Sequence, residues 1–256
     1  MQITDWDDAY ANGAYIDGAD EIVAGWAERA GEMVPDEVLP GVDLYVPDGA
    51  VKGLTIVVHG GYWMAFSARD FAHLAKGPRA MGQAVAMINY TLAPHARIAE
   101  ITQEVARAVA VAAARIDGPI RLTGHSAGGH LVTRMVCAAV LPDEIAGRIV
   151  HVLSISGVHD LRPLLRTQMN ETLRLTQNEA NAESPALLMP RINTRITCVV
   201  GAEERPEFRR QSALLASIWQ GLGADMRAVE LPHVNHFTII EGLERPDGAL
   251  TQLLLS

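Results

Sequence analysis

The segment Gly124-His125-Ser126-Ala127-Gly128 lies between a strand-like run, "IRLTG" (120–124), and a helix-like one, "HLVTRMVCAAVL" (130–141). A serine flanked at two residues on each side by glycine is the spacing of a nucleophile raised on a sharp strand-to-helix turn. The reason is steric. The chain reverses so tightly that a side chain two residues away would collide, so glycine stands at both places. Helix amides then begin at the serine, and their positive end faces the point where negative charge would form.

A serine hydroxyl attacks only when a base removes its proton and a third group holds that base. On such a turn the partners follow in the chain order serine, acid, histidine. His151 falls inside a strand-like run and His159 comes too early, directly after it. "LPHVNHF" (231–237) offers His233 and His236 after the last strand. His236 is the better base, being deeper in the loop and followed by Phe237 and a helical segment. The same H-x-x-H pair could hold a metal, but no cysteine or carboxylate cluster completes such a site, and neither metal nor cofactor is expected. For the acid, the strand "RITCVVG" (195–201) leads into Ala202, Glu203 and Glu204, and Asp160 ends the preceding strand. Spacing alone keeps Glu204, Glu203 and Asp160 open, in that order of preference.

"LTIVVHGGYW" (54–63) ends a strand in paired glycines pressed against two aromatics. Glycines let the backbone curl so that N–H groups point at a developing oxyanion. Gly60, Gly61 and Tyr62 are candidate donors, and Ala127 N–H supplies the second side of the hole. His59 is expected to pin the loop. Tyr62 and Trp63 are expected to wall the substrate pocket, with core packing as the other reading of Trp63.

The elements that must position these groups alternate. Strand-like runs occupy 42–46, 54–59, 84–90, 120–124, 149–156, 195–201 and 226–231, most of them continuously apolar. That is the pattern of strands buried on both faces of a largely parallel sheet. Helical segments at 100–116, 130–141 and 207–222 intervene, and 20–33 forms an amphipathic helix with Asp20 as its cap. The expectation is an α/β fold with helices on both faces of the sheet. Residues 161–190 break the rhythm, polar and strandless between prolines, and are expected to form a small cap or lid. With no linker or repeat in view, 1–256 reads as one domain.

Net charge is −9, and only Lys52 and Lys76 are lysines among 21 basic residues, which argues against nucleic acid and anionic membranes. An acidic, polar N-terminus lacks the pattern of a secretory signal, and no apolar run is long enough to span a bilayer. Cys137 and Cys198 sit in apolar surroundings and are expected to be buried free thiols of a cytoplasmic protein. The partner is then a small-molecule substrate. No oligomeric state is legible, and a homodimer is allowed.

The residues "HGGYW" (59–63), "GHSAGGHL" (124–131), "SGVHDL" (156–161), "RPEFRRQS" (205–212) and "VNHFTIIEGL" (234–243) resemble the arylformamidases (kynurenine formamidases) of the α/β-hydrolase fold. The likeness extends to "YANGAYIDGADEIVAGWAERA" near the N-terminus, and so covers essentially the whole chain. It implies a mostly parallel central sheet, Ser126 as nucleophile, His236 as base and the HGGYW loop as oxyanion hole. The family's acid falls four residues before the phenylalanine of its "PEF" segment, which lands on Glu204, where the family usually carries aspartate. The implied reaction converts N-formyl-L-kynurenine to L-kynurenine and formate. A small-substrate carboxylesterase would carry the same triad and loop, and the cap at 161–190 is expected to supply partners for the substrate's polar end.

Overall fold

The computed structural model describes residues 3–191 and 193–256. One sheet is built from β1 (Glu37–Leu39), β2 (Val42–Tyr45), β3 (Leu54–Val58), β4 (Ala84–Ile88), β5 (Ile120–His125), β6 (Ile149–Ile155), β7 (Arg195–Gly201) and β8 (Met226–Leu231). Their spatial order is β1-β2-β4-β3-β5-β6-β7-β8. From β4 across to β8 every pairing is parallel, while β2 runs antiparallel to both of its neighbours. Apolar residues at both parities of each inner strand explain this. Leu54, Ile56 and Val58 of β3 enter one core, Val57 the other. Likewise Ala84, Ala86 and Ile88 of β4 oppose Val85 and Met87. A strand that is apolar on both faces must be covered on both.

Helices Ile98–Arg115, Ala127–Met135 and Pro206–Gly221 cover one face. Helices Ala19–Gly31 and Ala249–Leu255, with the 3₁₀ turns Ala68–Ala75, cover the other. In Ile98–Arg115 the buried residues Ile98, Ile101, Val105, Val109 and Ala112 recur at three to four positions, so one stripe meets the sheet. After β3 the chain turns to β4 on one side, and β5 lies on the other. The crevice between the carboxyl ends of β3 and β5 is the topological switch point where open α/β sheets bind ligands. The HGGYW loop leaves one of these ends and Ser126 the other.

Several local expectations shift. β1 was not foreseen because Glu37-Val38-Leu39 is short and half exposed, joined to β2 through Gly41 at φ 74°. Gly18, at φ 69°, caps the first long helix, and Asp20 lies in its first turn instead. The helix after Ser126 stops at Met135, short of 141. Beyond it Cys137 bridges to Pro190, and Ala139 turns left-handed at φ 64°. Both cysteines are buried and free, and burial raises the Cys137 thiol to about 11. Among the described residues, no helix is long and apolar enough to cross a membrane.

Residues 161–190 form short helical turns, among them Asn170–Leu173 and Gln177–Glu183. They are clamped to the body. Glu183 accepts from Thr102 Oγ1 at 2.7 Å and Arg134 Nε at 3.0 Å, and Trp219 Nε1 donates to Pro185 C=O at 3.1 Å. Arg97 pairs with Glu179 on the same side.

Candidate active site

β5 delivers the chain to Ser126 at φ 55°, ψ −114°, and the helix begins at Ala127. This left-handed backbone is a strained place for serine, tolerated because its surroundings allow nothing else. A Cβ on Gly124 would lie 2.3 Å from Gly128 C=O, and one on Gly128 2.0 Å from Val58 C=O. Both glycines are therefore obligatory, and Gly128 also ties the elbow to the end of β3. Ser126 N–H donates to Ile155 C=O at 2.8 Å, fixing the turn against β6.

His236 sits in the loop after β8 with Nδ1 2.7 Å from Glu204 Oε2. The tautomer that donates from Nδ1 leaves a lone pair on Nε2, the state a general base needs. Glu204 leaves β7 fully buried, and its other oxygen, Oε1, accepts from Ser156 Oγ at 2.6 Å and from Gly201 N–H at 2.7 Å. Three donors thus hold one carboxylate. His125 Nε2–H donates to His236 C=O at 2.9 Å, and burial keeps the His125 imidazole well below its usual pKa and neutral. Phe208 packs 4.4 Å from the His236 ring.

The other candidates go elsewhere. Glu203 and His233 are exposed and face one another at 4.0 Å. Asp160 is held by Arg162 at 2.8 Å, and that guanidinium lowers its pKa against the opposing effect of burial. His151 is buried between Leu254 C=O and Thr197, as a core histidine. Of the three acids, Glu204 alone reaches His236 among the described residues. His59 stacks on Tyr90 at 4.2 Å and bonds Gly60 C=O at 2.9 Å, pinning the loop. Burial lowers it to about 4.

Gly60 lies against Ser126, since a Cβ there would stand 3.2 Å from Ser126 Cβ. Gly61 takes φ 99°, and a Cβ would fall 2.4 Å from Ala65 C=O. Among the described residues the N–H groups of Gly60, Gly61, Tyr62 and Ala127 donate to no protein acceptor. An oxyanion hole is built from backbone amides left free in this way. Trp63 does not wall the pocket. It is fully buried, edge-on to His130 at 5.2 Å, because its left-handed φ of 58° turns it into the core.

A cavity of about 240 Å³ opens onto Ser126 and His236 together. Gly61, Tyr62 and Met64 line it, together with an aromatic cluster in which Phe66 packs edge-on against Trp26 and Phe71, and Trp26 against Phe237. Asn12 and Gly13 also line it, so the N-terminal segment supplies the cover expected from 161–190, none of which reaches the cavity. The reason is the clamp through Glu183, which holds that segment over the helices instead. Among the described residues neither Asp, Glu, Lys nor Arg lines the cavity. A larger hollow of about 370 Å³ beside Asp5, Asp8 and Arg205 lies away from Ser126, and its arginines are already paired with Asp8 and Glu207. Among the described residues no cluster of histidine, cysteine and carboxylate could hold a metal ion.

Ser156 and His125, which position Glu204 and His236, were not foreseen. Ser156 follows β6 at φ 52°, and a positive φ is invisible in sequence.

Residues 55–239 match a family model described as the α/β hydrolase fold. A kynurenine formamidase of Salmo salar is 32% identical over 225 residues, 84% of this chain and 76% of that protein. The crystal structure of a proposed thioesterase from Silicibacter sp. TM1040 superposes with a TM-score of 0.92 at 44% identity, covering 98% of this chain and 99% of that one. An esterase of Pyrobaculum calidifontis shares the fold, with a TM-score of 0.72 at 19% identity over 93% of this chain and 90% of its own.

Proposed function

This chain belongs to the kynurenine formamidase family of α/β hydrolases, and from that premise we propose that it hydrolyses an aryl formamide, N-formyl-L-kynurenine, to L-kynurenine and formate. The observation that carries the mechanism is the pairing of His236 Nδ1 with buried Glu204, with both Ser126 and His236 facing one cavity beside unpaired amides.

Ser126 Oγ attacks the formyl carbon while His236 Nε2 takes its proton. The carbonyl oxygen becomes an oxyanion against the N–H groups of Gly61, Tyr62 and Ala127, with Gly60 allowing the close approach. Collapse breaks the C–N bond, and His236 gives its proton to the departing aniline nitrogen. A water then attacks the formyl-serine, losing a proton to His236, and the second tetrahedral intermediate releases formate and restores the Ser126 hydroxyl. Glu204 balances the imidazolium in both halves without taking the proton. The aromatic wall of Trp26, Phe66 and Phe237 suits an aryl leaving group, and the amino-acid end extends toward the open mouth. No step requires a metal or cofactor. Unpaired buried thiols suit a reducing compartment, and action in the cytoplasm is part of this reading.

A second reading, a small-substrate carboxylesterase or thioesterase, is favoured by the uncharged cavity wall, which offers an amino acid no ionic partner. Release of formate from N-formyl-L-kynurenine, compared with turnover of an aryl ester, separates the two. Ser126→Ala must abolish either one.

A further inference from the structure

Gly61, Tyr62 and Trp63 follow one another at φ 99°, 50° and 58°. Glycine enters this region freely, but two aromatic residues do so only where the surroundings over-determine the backbone. Part of that restraint is local. Gly61 C=O accepts from Met64 N–H at 2.9 Å and Ala65 N–H at 3.0 Å, and Trp63 C=O accepts from Ala93 N–H at 2.8 Å. None of these bonds touches Tyr62 itself, whose N–H belongs to the oxyanion hole proposed above.

The hold on Tyr62 comes from the other end of the chain. Its Oη–H donates to Tyr10 C=O at 2.6 Å and accepts from Asn12 Nδ2–H at 3.2 Å. With the single hydroxyl proton given to Tyr10, only the amide nitrogen of Asn12 can face Oη, which orients that side chain. The N-terminal segment is in turn bound to the loop that carries the acid. Arg205, next to Glu204, pairs with Asp8, donates to Asp8 C=O at 3.0 Å, and lies 3.6 Å over the Tyr15 ring. Tyr10 Oη donates to Glu207 Oε1 at 2.8 Å and accepts from Gln211 at 3.2 Å.

We propose that the Tyr62 hydroxyl, gripped by Tyr10 and Asn12, is a latch that positions the oxyanion hole, and that the N-terminal segment braces the oxyanion loop against the acid-bearing loop. Tyr62 and Asn12 are positioning residues here. Their effect reaches the reacting atoms through the backbone amide of Tyr62. The proposal rests on the serine-hydrolase reading, not on the formamide assignment, because every acyl substrate passes through the same oxyanion.

Tyr62→Phe removes the hydroxyl and keeps the ring, and Asn12→Ala removes the second partner, a buried side chain of the cavity lining that belongs to neither hydrophobic core. Each is expected to lower kcat about tenfold, less than loss of an oxyanion donor outright, with KM within about twofold of the parent. Phenylboronic acid, whose tetrahedral adduct with Ser126 places an oxygen in the hole, should lose affinity in step with kcat. The loss should be equal for an aryl formamide and a p-nitrophenyl ester, and the double variant should be no worse than the worse single one. Three results would overturn the latch. The folded single variants could keep kcat and boronate affinity within about twofold, the change could appear in KM alone, or the two losses could multiply. A parent enzyme that hydrolyses the ester and ignores the formamide sinks the substrate assignment instead, and the latch is then read on the ester.

Discussion

Replacing Glu204 by glutamine tests the acid on purely geometric grounds. Oε1 of Glu204 faces Gly201 N–H at 2.7 Å and Ser156 Oγ at 2.6 Å. The serine hydroxyl can rotate, but the Gly201 amide cannot, so an NH₂ group placed there would meet a fixed donor. Glutamine must therefore put its carbonyl toward Gly201 and its NH₂ toward His236 Nδ1, which in the parent donates across 2.7 Å. Imidazole can satisfy that NH₂ only by accepting at Nδ1, which moves its proton to Nε2 and blocks the base. In the serine-protease template the same wrong-tautomer defect lowers kcat by about 10⁴, or about 5.4 kcal/mol at 1.36 kcal/mol per tenfold. Steady-state kcat/KM on the preferred acyl substrate measures the loss, and ¹⁵N shifts of the His236 ring report the tautomer. Folding should be little changed, since shape and burial are kept. Activity within about tenfold of the parent, or an Nδ1–H imidazole in the variant, would refute the reasoning.

Gly61→Ala forces a side chain into φ 99° with its Cβ 2.4 Å from Ala65 C=O, so the loop must move and kcat should fall about 10²–10³-fold. A variant that retains most of its kcat would show that Gly61 N–H lies outside the hole. Glu183→Ala leaves Arg134 buried without its partner and should destabilise the fold by about 3–5 kcal/mol in urea unfolding. A shift under about 1 kcal/mol would mean that the segment 161–190 is not clamped through this pair. Burial lowers His59, His73, His130, His151 and His159 to about 4, 3, 3, 4 and 3 respectively. Their unfolded value is about 6.5, so the unfolded chain binds more protons below it, and each group removes up to about 1.4 kcal/mol per pH unit as pH falls. The stability they protect is whole above that value and is lost toward their folded values. Acid unfolding should therefore centre near about pH 5, and a circular-dichroism midpoint below about pH 3 would contradict it.

Much of the candidate site was legible because its parts obey short-range rules. Ser126 announces itself through glycines that a tight turn demands, and Gly60-Gly61 through a strand that ends without a helix. The alternating apolar runs gave the parallel sheet, since double-sided burial writes itself into continuous valine, isoleucine and leucine. What escaped depends on contacts distant in sequence. No local pattern marks Ser156 as the partner of Glu204, 48 residues away, or Asn12 as the neighbour of Tyr62, 50 residues away. Trp63 could be read as pocket or core until its left-handed backbone settled the direction of the ring. Residues 161–190 looked like a lid for want of strands. Their anchors, Thr102, Arg134 and Trp219, lie on three separate helices, and only the folded chain brings those together.

The central claim is that the triad serves a formamide. It is tested most directly by comparing kcat/KM for N-formyl-L-kynurenine with that for p-nitrophenyl acetate and a matched aryl thioester, with Ser126→Ala as the blank. The account predicts a strong preference for the formyl compound, with stoichiometric formate and kynurenine, all lost in the variant. Turnover confined to the ester or thioester, again lost in the variant, would keep the catalytic machinery and contradict the assigned substrate.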